Sequence, residues 1–224
     1  MVYKQIILNI FTVALQEYLE PSSIKMSRIL IVLFLLLINC EKEPKQNLVE
    51  EKPIIIQIQP FSDMKNEEVE LIAKEIKEIY PHLEILKPID FPKNSYYQPR
   101  NRYRADSVIK FLSSETGNGF VKLGLTSKDI SVTKGKNSDF GVMGLGYRPG
   151  KSCIASTFRL NKNNKNSQFY KVAIHELGHT QGLPHCPENT CFMRDAEGGN
   201  PTDELKNFCK KCKTHLQRKN WKLI

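Results

Sequence analysis

The stretch HELGHTQGLPHC, residues 175–186, holds three of the chain's five histidines together with a glutamate and two glycines. Neutral imidazoles are metal ligands by type, and a glutamate beside one is a base by type. The surrounding QFYKVAIHELGHTQG is apolar at Tyr170, Val172, Ala173, Ile174 and Leu177 and has no proline, which predicts a buried helix beginning near Gln168. On that helix His175 and His179 lie four residues apart on one face, able to grip one ion. Glu176, one step round, can reach a water on that ion without being a ligand, which is the general-base arrangement. Gly182 is placed to end the helix in a positive-φ turn that swings His185 back as a third nitrogen ligand. Three imidazoles leave the fourth position of Zn²⁺ to water, whereas closed structural sites favour cysteine. Catalysis is the favoured reading, with a structural zinc site or a decayed enzyme as the alternatives.

Cysteines follow at once. Cys186 and Cys191 form one close pair and Cys209 and Cys212 another, a spacing suited to zinc. In TDELKNFCKKCKTHLQRK the positions Leu205, Phe208, Cys209, Cys212 and Leu216 predict one helical stripe with both sulfurs on one side. Two disulfides are the alternative, decided by compartment. The adjacency of His185 and Cys186 favours zinc, because a thiolate site there would pin the third histidine. Cys153 lies outside the pattern and is expected to be a buried strand residue.

The run HExxHxxGxxH is the metzincin signature. With Cys186, Cys191, Met193 and the Cys209-Lys-Lys-Cys212 pair behind it, the chain resembles the archaemetzincin family. The resemblance is strong over 175–212 and looser in the IASTFRL segment ahead of the metal helix. It implies a zinc metallopeptidase with two zincs per chain. One is catalytic, on His175, His179 and His185; the other is structural, on Cys186, Cys191, Cys209 and Cys212. Met193 makes the turn beneath the catalytic metal. It also implies an aminopeptidase-like or weak activity on short peptides. The spacer before Cys209 is slightly shorter than the family's usual one, a change that a surface loop tolerates.

Two function classes follow. In the first, Glu176 takes a proton from a metal-held water and returns it to the leaving amine of a peptide or protein substrate. In the second, the protein is a non-catalytic, zinc-stabilised binding module tethered to a membrane. An intact Glu176 favours the enzyme, since a structural site has no use for a carboxylate beside an open position.

The amino terminus bears on location. MSRILIVLFLLLINC, from Met26, carries one arginine, an apolar run over 29–38, then Asn39 and Cys40. That core is too short to span a bilayer and fits a signal-peptide core. LINC resembles a bacterial lipoprotein cleavage box with Cys40 lipidated, although Asn39 departs from the small residue usual before the cysteine. An uncleaved, loosely membrane-associated segment is the alternative. Residues 1–25 then form an extension ahead of the true start, 26–40 the signal peptide, and 41–52 a charged, solvated linker. The expected place is a membrane-anchored lipoprotein on the periplasmic or cell-surface side.

Residues 53–224 remain as one domain large enough for a sizeable core, expected to act as a monomer. PIIIQIQP, HLEIL, FVKLGLT, FGVMGLGY and CIASTFRL are predicted strands; NEEVELIAKEIKEIY and DSVIKFLSSE are predicted helices. Such mingling predicts an α/β (α+β) fold with a mixed sheet packed on helices. By the resemblance this is a metzincin-like zincin fold, with the HExxH helix as the cleft floor and a C-terminal zinc-binding cysteine subdomain. Candidates for a substrate-pairing edge strand lie in 140–160. The loop FPKNSYYQPRNRYRADS either lines the cleft and grips a substrate carboxylate or is an exposed loop with aromatic packing. Net charge is +9, and the segment after Asn200 carries seven basic against two acidic residues. Nothing resembles a base-reading module, so the charge is taken as a solvated face and nucleic acid is not an expected partner.

Overall fold

The computed structural model describes residues 52–224. The extension, the signal peptide, Cys40 and nearly all of the linker lie outside the described residues. Among the described residues no helix is long and apolar enough to cross a membrane.

A five-stranded sheet organises the domain. Its strands are β1 (Ile55–Pro60), β2 (Leu83–Ile85), β5 (Phe120–Thr126), β8 (Gly144–Gly146) and β9 (Ser152–Ser156). They lie in the order β2-β1-β5-β9-β8, parallel throughout except for β8, which runs antiparallel to β9. β5 is buried along nearly its whole length, as a strand covered on both faces must be. β9 shows the division of faces. Cys153 and Ala155 join one apolar core and Ile154 the other, following the two-residue period of a strand.

Three helices cover that sheet. α1 (Asn66–Lys77) buries Val69, Ile72, Ala73 and Ile76, and its acids Glu67 and Glu68 and bases Lys74 and Lys77 sit at the ends where the helix dipole favours them. α3 (Lys165–Thr180) packs in the same core. α2 (Ala105–Ser114) supplies Val108, Ile109 and Leu112 to the opposite one. A last helix, α4 (Lys210–Gln217), seats Cys212 and Leu216 beside the buried Trp221 in the α1–α3 core. The α/β class and the mixed sheet packed on helices are as expected.

A second sheet was not foreseen. It has the order β3-β4-β6-β7, from β3 (Tyr96–Tyr97), β4 (Arg102–Arg104), β6 (Ile130–Lys134) and β7 (Asn137–Val142). The segment FGVMGLGY therefore is not one strand. It breaks at Met143, so that β7 and β8 belong to different sheets. The strand expected in CIASTFRL ends at Ser156, whose hydroxyl accepts a hydrogen bond from Phe158 N at 3.1 Å and turns the chain. α3 starts three residues before Gln168. The single stripe from Leu205 to Leu216 is also corrected. A 3-10 turn at Thr202–Glu204 is followed by extended backbone, and helix begins only after Cys209.

Candidate active site and metal centres

α3 carries His175 and His179 one turn apart, and Gly182 behaves as the sequence requires. At φ +89° it closes the helix, its N–H donating to His179 O at 2.8 Å and that of Leu183 to Gly178 O at 3.2 Å. The reversal brings His185 back. One ligand nitrogen from each of His175, His179 and His185 lies within 4.8 Å of the other two.

The outward nitrogens are all anchored. His175 Nδ1 lies 2.7 Å from Phe192 O, His179 Nδ1 2.8 Å from Leu183 O, and His185 Nδ1 2.9 Å from Asp195 Oδ2. Carbonyl and carboxylate acceptors place the proton on Nδ1 and leave the lone pair of Nε2 facing the common centre. Burial, and next the neighbouring His179, press the His175 pKa down to about 3; burial lowers that of His179 as well. Burial thus favours the neutral form of His175 and His179, the form that binds metal. The donor set fits zinc.

Glu176 is 7% exposed, and burial raises its pKa to about 8. Its carboxyl lies under β8, the outermost strand of the five-stranded sheet. A Cβ on Gly144 would come within 2.6 Å of Glu176 Cγ and Oε1, and one on Gly146 within 2.7 Å of Glu176 O. Only glycine lets the strand lie this close to the metal helix. Gly141, Met143, Gly144 and Arg159, all within the 140–160 candidate segment, line a cleft of about 440 Å³ over His175, Glu176 and His185.

Behind the helix Met193 is fully buried, and its Sδ would stand 2.4 Å from a Cβ on Gly178, the residue before His179. The same turn starts the cysteine cluster, since Cys186 N donates to Met193 O at 2.8 Å. One sulfur each from Cys186, Cys191, Cys209 and Cys212 falls within 4.8 Å of the others. Cys186 and Cys209 are 3.7 Å apart, Sγ to Sγ. A tetrahedron with Zn–S of about 2.3 Å has an edge of about 3.8 Å, whereas a disulfide needs about 2.05 Å. All four are free thiols, as is the buried strand residue Cys153. Burial, and next the Cys191 charge, push the Cys212 thiol up. The cluster has the size and donors of a zinc site.

Comparison with known proteins agrees with this geometry. The profile of Peptidase family M54 matches residues 54–218. The chain belongs to that family. It is 32% identical over 171 residues to the archaemetzincin of Methanocaldococcus jannaschii, covering 71% of this chain and 91% of that one. It is 32% identical over 169 residues to the Archaeoglobus fulgidus archaemetzincin, covering 72% and 98%. The crystal structure of the latter protein, complexed with malonate, superposes with a TM-score of 0.61 at 29% identity over 71% of this chain and 98% of that one. A zinc-dependent peptidase from Methanocorpusculum labreanum shares the fold, with a TM-score of 0.62 at 20% identity over 72% and 99%. This M54 chain is therefore a zinc metallopeptidase.

Several residues at the site escaped the motif reading. Asp195 holds the outermost histidine, yet its only signal was an acid in the loop ten residues after His185. Gly144 and Gly146 looked like ordinary strand glycines. His215 Nε2 lies 2.9 Å from Gln181 O and ties α4 to the end of the metal helix. The tyrosine- and arginine-rich loop does not line the metal cleft. It forms β3 and β4, and Tyr97, Arg100 and Arg102 face a separate polar hollow. Arg102 is buried, 2.8 Å from Asp129 Oδ2 and 3.1 Å from Asp139 Oδ2, which leaves it little capacity for a substrate carboxylate.

Proposed function

We propose that this M54 peptidase hydrolyses short peptides with Glu176 as general base beside a zinc held by His175, His179 and His185. A second, structural zinc would be held by Cys186, Cys191, Cys209 and Cys212. Zinc bound at the histidines supplies a Lewis acid that acidifies water and polarises the scissile carbonyl. The chain does the rest. Glu176 takes the proton of the attacking water and hands it to the leaving amine. β8, as the sheet edge, offers its backbone to pair with an extended substrate. The Nδ1 acceptors of Phe192, Leu183 and Asp195 hold the three rings in orientation, and Met193 props the helix from behind.

One observation carries this reading: three imidazoles anchored through Nδ1 converge beside a buried carboxyl, packed under Gly144, that lies outside the ligand cluster. Metal analysis and peptide-library cleavage on residues 53–224 test it. Zinc-dependent hydrolysis, lost to chelator and restored by zinc, is expected; a zinc-loaded domain that cleaves nothing in the library would refute it. Acetylation of the substrate amino terminus separates aminopeptidase action, which it abolishes, from endopeptidase action.

We propose further that Cys40 carries a lipid anchor and that the chain acts as a monomer. If Cys40 is lipidated, Cys40→Ala releases the protein from the detergent-extractable membrane fraction or leaves an uncleaved precursor. Unchanged mass and fractionation would refute lipidation.

A further inference from the structure

Beside the metal site the cleft holds a cation that the hydrolysis described above does not use. Lys171 sits one helical turn before His175 on α3, about 6 Å along the axis, so the two side chains share a face. Lys171 is 8% exposed and lines the cleft. Its ammonium donates to Thr202 O at 3.0 Å. An ammonium has three donors, and a buried one is stable when a counter-charge completes them. No ion pair to Lys171 exists among the described residues. Asp203 feels its charge only as the weakest influence, and its Oδ2 already accepts from Gln168 at 2.9 Å and Asn164 at 3.2 Å.

The other cations around the cleft have partners of their own, acidic for the two arginines and aromatic for Lys134. Arg194 pairs with Glu204 at 2.6 Å and Arg159 with Asp129 at 2.8 Å, while Lys134 lies over the Phe140 ring at 4.7 Å. Of the two lining carboxylates, Asp195 is held by His185 and Glu176 lies under Gly144. The cleft wall therefore offers no free acid to Lys171. Val172 and Leu205, both buried, form apolar sides next to it. A pocket with apolar walls and a buried cation at its floor selects an anionic group on a short stem.

We infer that the Lys171 pocket recognises a carboxylate of the substrate, so that the enzyme prefers peptides presenting an acidic group next to the cleaved bond. The inference rests on the peptidase reading and adds the substrate class. Two sources share this chemistry: an Asp or Glu side chain flanking the bond, and the free carboxyl terminus of a very short peptide.

The test uses matched peptides with Glu or Gln at each position flanking the bond, each as free acid and as carboxy-terminal amide. Their binding is followed by fluorescence anisotropy to the zinc-loaded Glu176→Gln protein, and their cleavage by wild type. Binding of the Glu peptide about tenfold or more tighter than Gln, in acid and amide alike, assigns the pocket to a side chain. A preference of similar size for acid over amide assigns it to the terminus. In either case Lys171→Met should bring the ratio near one and Lys171→Arg should preserve it. A merely structural lysine would, on replacement, weaken both members of each pair alike and leave the ratio unchanged. Equal binding of Glu and Gln peptides and of acid and amide, or a ratio that survives Lys171→Met, overturns the inference. Failure of wild type to cleave any peptide, with the binding preference intact, counts against the peptidase reading instead.

Discussion

The Nδ1 of His185 lies 2.9 Å from Oδ2 of Asp195, and this contact completes a set in which every metal-facing imidazole is held from behind. His185 is the exposed member of the three, so its ring has the most freedom to lose. Asp195→Ala should weaken zinc binding at the histidine site about 10–100-fold, the usual cost of removing such support, with the fold unchanged. Competition with a metallochromic chelator measures it; an unchanged zinc affinity would show that the contact is incidental.

Gly144 and Glu176 define the second prediction. A methyl on Gly144 would displace the carboxyl by overlap at 2.6 Å, its three nearest atoms all belonging to Glu176. A misplacement of about 1 Å costs on the order of 100-fold in rate. Gly144→Ala should therefore lower kcat to about that extent while zinc content stays at the wild-type value. Full activity in a folded, zinc-loaded Gly144→Ala protein would separate Glu176 from the chemistry.

The cysteine cluster predicts a stoichiometry. Wild-type domain should contain two zincs, and Cys209→Ser/Cys212→Ser one. Structural zinc contributes on the order of 10 kcal/mol, comparable to the whole stability of a domain. The double variant should accordingly lose order in its carboxy-terminal third, as seen by circular dichroism. A wild-type ratio of one zinc with no thiols titratable before reduction would favour disulfides.

Buried titrating groups give the metal-free chain a pH signature. His175, with its folded pKa pressed to about 3, resists a proton that the unfolded chain accepts near 6.5. Its stabilising share is present above pH 6.5 and is lost as pH falls towards 3. Glu176 has the opposite sign. With a folded pKa of about 8 its share is full below about 4.5 and is lost as pH rises through 8. Melting of metal-free protein should show His175→Asn flattening the acid limb, and Glu176→Gln gaining on wild type between pH 4.5 and 8. Parallel profiles for wild type and both variants would contradict the burial of these groups.

Legibility in the sequence followed the range of the interactions. The spacing of His175, Glu176, His179, Gly182 and His185 is a local geometric statement, because four residues on a helix and one positive-φ turn fix their relative placement. FVKLGLT was equally plain, since a continuous apolar run bounded by turn residues reads as a covered strand. What escaped depends on partners far along the chain. Arg102 reads as a free surface cation until Asp129, from the turn before β6, and Asp139, from β7, enclose it. FGVMGLGY has one uniform pattern, yet Met143 divides it between two sheets because β6 claims one half and β9 the other. The helical stripe through Cys209 failed for a similar reason. Thr190 O accepts from Lys206 N at 2.8 Å and holds that stretch extended, a long-range bond that periodicity does not register.

Above all, we propose that Glu176 is the base of a zinc-dependent peptide hydrolysis. Its most direct test is the turnover of one cleaved peptide by wild type and Glu176→Ala, with zinc content measured on the same samples. Equal zinc and equal circular dichroism, with turnover lower by about 100- to 10,000-fold in the variant, is the expected result. Wild-type turnover by a zinc-loaded Glu176→Ala protein would contradict it.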